Sequence, residues 1–216
     1  MRRYLDRKSL NYSKLEIQAV LITGLLKFIV VDFLSAKFWF IILAGTLWVS
    51  YILWRIHNNH SLVSDWGLSL KGFKQSLNLL LIPAIGTTII SIWYGLNQDV
   101  LIFNWHIIPI LILYPLWGTI QQLLIISLFG GNIYYQENVK ISKLTIVGLT
   151  SILFSVVHYP SLPLMIATFF LAIFYCMVFF KFRNILALGL FHGLLASIFY
   201  FFVLGRDPWI EFIGSV

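Results

Sequence analysis

Apolar residues run along this chain in long unbroken blocks, separated by short polar stretches. The blocks cover 15–34, 38–54, 77–96, 105–130, 143–159, 162–182 and 184–204. A helix needs about 20 mostly apolar residues to cross a hydrocarbon layer of about 30 Å. The pattern therefore predicts an all-α fold, a polytopic transmembrane bundle of about seven spans. Closed β-barrels, the other membrane solution, alternate apolar and polar residues in segments of about ten; these blocks are longer and do not alternate. The polar stretch 57–76 mixes aromatic and basic residues around Trp66-Gly67-Leu68 and Lys71-Gly72-Phe73, which suits a short helix lying in the interface. Tight turns are expected at Asn132/Tyr134, Pro160/Pro163 and Arg183/Asn184.

Composition agrees with that picture. Apolar residues make up 60% of the chain, charged residues 11%, and the mean hydropathy is +0.90; a soluble domain carries about 25% charged residues. With the N-terminus in the cytoplasm and seven alternating spans, Arg2, Arg3, Arg7, Lys8, Lys14, Arg55, Lys71, Lys74, Lys140, Lys143, Lys181 and Arg183 fall on the cytoplasmic side. Lys37 and Arg206 fall outside, and Lys27 lies within the first span. This asymmetry is the positive-inside pattern. The net charge of +7 then reflects topology and anionic headgroups, with no nucleic-acid partner expected. The single cysteine, Cys176, excludes an internal disulfide and reads as a small buried hydrophobe. No cleavable signal peptide is expected, since the first block is long and no small-residue cleavage site follows it. The chain divides into a basic flank (1–14), one transmembrane domain (15–204) and a short tail (205–216).

Polar residues inside spans are costly and are the first place to look for chemistry. Glu16 and Asp32 lie near opposite ends of the first block and can reach headgroups; Lys27 must snorkel or pack inward. Gln121 and Gln122 project about 100° apart, toward two neighbours or one cavity wall. His158 and His192 lie on two further spans. Each of the four can serve as interhelical hydrogen-bond glue; together they are compatible with a shared polar cavity. Phe154 precedes His158 by one turn, so its ring is expected to stack on the imidazole. Ser197 is a weaker candidate for the same cavity, and Ala196 offers nothing polar. Two histidines and an amide fall short of the three or four ligands of a zinc site. His57 and His60 read as solvated loop residues, and no metal or cofactor is expected.

At these residues the chain resembles the CAAX-protease and bacteriocin-processing family of membrane proteins. That family carries a Glu-Glu pair followed by Arg on one span, Phe-x-x-x-His on the next, and His-x-x-x-Asn or Asp on a later one. Phe154-Ser155-Val156-Val157-His158 matches the second motif, Arg183-Asn184 leading to Phe191-His192-Gly193 matches the approach to the third, and Trp66-Gly67-Leu68 resembles the stretch before a span. The likeness covers roughly 65–200. It implies an intramembrane peptidase framework in a bacterial or archaeal cell membrane, with His158, His192, Gln121 and Gln122 at the catalytic positions and Phe154 and Ser197 lining a binding site. The departures are Gln121-Gln122 for the glutamate pair, Ile126 for the arginine and Ala196 for the asparagine. In the family a glutamate and the first histidine are taken to activate water, and a neutral amide cannot accept that proton.

Three functions compete on this reading. A pseudoprotease would hold a membrane peptide or protein partner, using amides that donate and accept hydrogen bonds without charge; self-immunity against a bacteriocin is one form of it. An active endopeptidase would need a base that the motif positions do not supply. Solute transport is weaker, because the chain shows neither paired halves nor a charged path across the spans.

Overall fold

The computed structural model describes residues 7–136 and 140–214, and among them every regular element is helical. Arg2 and Arg3 of the basic flank lie outside the described residues. The elements are α1 (Arg7–Lys27), a π-helical segment (Phe28–Phe33), α2 (Lys37–Asn58), α3 (Leu62–Asp65), α4 (Phe73–Asn97) and α5 (Ile107–Gln122). A second π-helical segment (Leu123–Gly131) follows, then α6 (Asn132–Tyr134), α7 (Lys143–Val156), α8 (Leu162–Phe182), α9 (Ile185–Phe202) and α10 (Pro208–Ile213). Five helical stretches are long and apolar enough to cross a membrane: Lys37–Asn58, Phe73–Asn97, Ile107–Tyr134, Leu162–Phe182 and Ile185–Phe202. Their outward faces are apolar, with Leu47 71% and Ile82 78% exposed, as lipid contact requires. The protein is an integral membrane protein.

The other two apolar blocks are helical as well but are not among these five. The first lies inside α1 and its π-helical extension. That helix begins at Arg7, so the segment from Arg7 to Lys14 is already helical. The block at 143–159 becomes α7, whose 14 residues span about 21 Å at 1.5 Å per residue, less than a full hydrocarbon layer. The turn expected at Asn132/Tyr134 is also displaced, because helix continues from α5 through Tyr134. In the polar stretch, between the end of α2 and the start of α4, only Leu62–Asp65 is helical. The rest is pinned to the α8–α9 turn: Ile185 N donates to Gly67 O (2.8 Å), Arg183 Nε to Asp65 O (2.7 Å) and Asn184 Nδ2 to Ser69 O (2.7 Å). Asn184 Oδ1 also accepts from Ala187 N, capping α9.

One charged residue departs from the headgroup reading. Glu16 is buried: its Oε1 accepts from Arg55 Nη1 (2.5 Å) and Tyr51 OH (2.8 Å), and its Oε2 from Asn132 Nδ2 (2.7 Å). One carboxylate thus joins α1, α2 and α6. Asp32 pairs with Lys27 (2.7 Å). Residues five apart point to different faces of an α-helix, but the i→i+5 geometry of the π-helical turn brings them together. The tail is likewise folded back. Asp207 caps α10 and meets His106 (2.6 Å), Glu211 pairs with Lys37 (3.0 Å), and the Phe212 and Phe38 rings lie 5.0 Å apart. Cys176 is fully buried.

Candidate functional site

The site begins with a close contact between α5 and α9. Gly189 and Gly193 on α9 face Pro115, Gly118 and Thr119 on α5. A Cβ on Gly118 would lie 2.7 Å from Gly189 O, and one on Gly193 would collide with the backbone of Tyr114 and Pro115. Small residues four apart let two membrane helices touch backbone to backbone. That approach sets His192 opposite Gln121, with Nε2 and Oε1 3.0 Å apart. An amide oxygen only accepts, so His192 Nε2 carries the proton and donates. His192 Nδ1 is then an acceptor, buried and without a partner among the described residues.

His158 comes from the turn that follows α7. Its Nδ1 donates to Phe154 O (2.7 Å), which leaves Nε2 as an acceptor. The Phe154 ring stands between the two histidines, with centroids 4.9 Å from His158 and 5.3 Å from His192. It meets His158 edge-on at 89°, not stacked as the spacing predicted. Gln121, His158, His192, Phe154 and Ala196 all line one cavity of about 650 Å³, whose remaining wall is mostly apolar.

The other motif positions lie elsewhere. Gln122 is fully buried off that wall, and both polar atoms of its amide lack a hydrogen-bond partner among the described residues. Ser197 turns onto its own helix and donates to Gly193 O (2.8 Å), so it is no part of the cavity surface. Ile126, at the family's arginine position, is buried in the hydrophobic core. An unpaired buried amide costs about 1–3 kcal/mol. Gln122→Met should therefore leave thermal stability unchanged or raise it by about 1 kcal/mol, read as the melting midpoint in detergent. A drop of that size would mean that the amide has a partner.

Beside the apolar cavity lies a charged vestibule of about 530 Å³, and Lys27, Lys37, His158 and Tyr200 border both. Lys27 Nζ donates to Asp32 Oδ2 (2.7 Å) and to Tyr159 O (2.5 Å), fastening the end of α1 to the His158 turn. Asp32, Arg206 and Glu211 complete the charged wall. The motifs gave no hint of this vestibule. Its one sequence signal is that three charges, Lys27, Asp32 and Lys37, punctuate an otherwise apolar stretch.

Among the described residues no Asp or Glu lines the apolar cavity, and no three His, Cys, Asp or Glu side chains gather where they could hold a metal ion. The arrangement can therefore hold an apolar ligand and offer it a few uncharged donors and acceptors, with the ammonium groups of Lys27 and Lys37 at the border with the vestibule. Compared with known proteins, the chain matches no family model, no curated protein and no solved structure.

Proposed function

We propose that this chain is a binding protein built on a CAAX-protease-like framework, a pseudoprotease of a bacterial or archaeal cell membrane. It takes a short apolar peptide segment into the cavity and so restrains or regulates the peptide's parent protein. The observation that carries this reading is the Gln121–His192 hydrogen bond, on a cavity wall without a carboxylate among the described residues. General-base assistance is worth about 10² to 10⁴ in rate, and a neutral amide supplies none. The donor of His192 that would hold an oxyanion is already engaged by Gln121.

Size narrows the ligand. A helix about 11 Å across and 30 Å long displaces on the order of 3,000 Å³, far above the 650 Å³ of the cavity. That volume falls within the range of about 300–1,000 Å³ typical of small-molecule sites, and suits a few extended residues. In the membrane, the reading has seven passes with the N-terminus in the cytoplasm, α1 and α7 being the charged and the short pass. The distribution of Lys and Arg supports this orientation. The Lys37–Glu211 contact fits it too, since both residues then lie outside.

A second reading, the active endopeptidase, draws on Asp32, a carboxylate that lines the vestibule together with His158. One assay separates the two. Purified protein in nanodiscs is incubated with a pool of apolar peptides, and the bound fraction is identified by mass spectrometry. Binding predicts retained, intact peptides, and Gln122→Glu should create no turnover. Cleavage that vanishes in His158→Ala would establish the endopeptidase, and failure to retain any peptide would overturn both readings.

A further inference from the structure

The vestibule carries three cations, Lys27, Lys37 and Arg206, against two carboxylates, Asp32 and Glu211. Burial pushes Glu211 up, but hydrogen bonds from Arg206 and Lys37 outweigh it and hold the carboxyl below its ordinary value. Glu211 is therefore ionised at neutral pH, and the formal charges leave one net positive. The two lysines also keep unused donors among the described residues. An ammonium has three; Lys37 gives one to Glu211 Oε2, and Lys27 gives two, to Asp32 Oδ2 and Tyr159 O. Aromatic residues gather at this end: Tyr159 and Tyr200 line the vestibule, Tyr200 and Trp209 line the apolar cavity, and Trp105 lies 6.3 Å from Trp209. Tyr and Trp concentrate at headgroup depth. The apolar chamber thus adjoins, at Lys27 and Lys37, a weakly cationic space whose aromatic surround suits headgroup depth.

We infer that chamber and vestibule together form one site for a single-chain lipid that ends in a carboxylate, a fatty-acid-like anion. Its chain lies in the apolar cavity, and its head is held by Lys37 and Lys27. A monoanion balances the single excess charge, whereas a phosphate monoester would overshoot it. A chain lying against Gln121 and His192 occupies the space assigned above to the peptide, so lipid and peptide exclude one another. The inference rests on the proposed reading only in taking this cavity as a ligand chamber. The alternative is that the charges merely tie α2 to α10, and the end of α1 to the His158 turn.

The test is saturation binding of tritiated decanoate and tritiated decanol to the full chain in phosphatidylcholine nanodiscs. Decanoate is expected to bind about tenfold more tightly than decanol, as for a hydrogen bond to a charged group. Lys37→Met should remove that preference and Lys37→Arg should keep it. Glu211→Gln removes the competing carboxylate and should tighten decanoate binding, a gain that a purely structural ion pair does not predict. It also keeps the test decisive if Lys37→Met fails to fold. Decanoate should displace any retained peptide. Equal binding of acid and alcohol, or a decanoate affinity indifferent to both charge changes, overturns the inference. If peptide is retained and decanoate does not bind, only this inference falls; if decanoate binds and no peptide is retained, only the peptide reading falls.

Discussion

Gly193→Val should cost about 3 kcal/mol of stability, the upper end of overpacking in a close-packed interior, and should dismantle the site with it. A side chain at this position drives into the backbone of Tyr114 and Pro115, which cannot move aside as a flexible side chain would. The relief available is for α9 to back away from α5, and that withdraws His192 from Gln121, whose contact depends on the approach. Gly148→Ala is the control. A Cβ there meets nothing within 4 Å, and replacing a glycine inside a helix normally gains up to about 1 kcal/mol. Melting midpoints in detergent should therefore move in opposite directions for the two variants. Equal shifts would mean that the contact between α5 and α9 is looser than described.

Glu16→Ala is the second large effect, expected at about 3–5 kcal/mol, the cost of breaking a buried ion pair by removing one partner. The carboxylate side chain is 2% exposed and the Arg55 side chain 9%, so water does little to screen either. The loss also releases Tyr51 and Asn132, and with them the tie among α1, α2 and α6. Replacing both charges together, Glu16→Leu with Arg55→Met, should cost much less than Glu16→Ala alone, because buried ion pairs often break even against apolar residues of similar volume. If the double change is as damaging as the single one, the pair's worth lies in its hydrogen bonds to Tyr51 and Asn132. Chemical denaturation in mixed micelles reads both.

How far the chain could be read in advance differed between its spans and their interior. Continuous apolar runs are a direct record of lipid contact, and the blocks at 38–54, 77–96, 105–130, 162–182 and 184–204 match helices that are long and apolar enough to cross. The histidines and Gln121 were visible because polar side chains inside apolar runs demand partners. Their meeting point was not, since it depends on how closely α5 and α9 approach, and periodicity carries no information on that distance. Gln121 and Gln122 looked alike in sequence, and only the direction of each side chain separates a cavity residue from a buried, unpaired one. Glu16 escaped for a related reason. Placing a carboxylate near a span end suggests headgroups, whereas Arg55, 39 residues away, provides an internal partner. The folded tail escaped notice as well. Its anchors, Lys37 and His106, lie far off in sequence.

Whether ligand resides in the cavity is read by site-directed photocrosslinking. A benzophenone amino acid is placed at Leu171, on the cavity wall, and separately at Ile82, on the lipid-facing surface of α4. Each protein is irradiated in nanodiscs with the apolar peptide pool, and the adducts are mapped by mass spectrometry. Intact peptide is expected at Leu171 and little at Ile82, with excess decanoate suppressing the first. Equal labelling at both positions, or labelling at Ile82 alone, would contradict a ligand in the cavity.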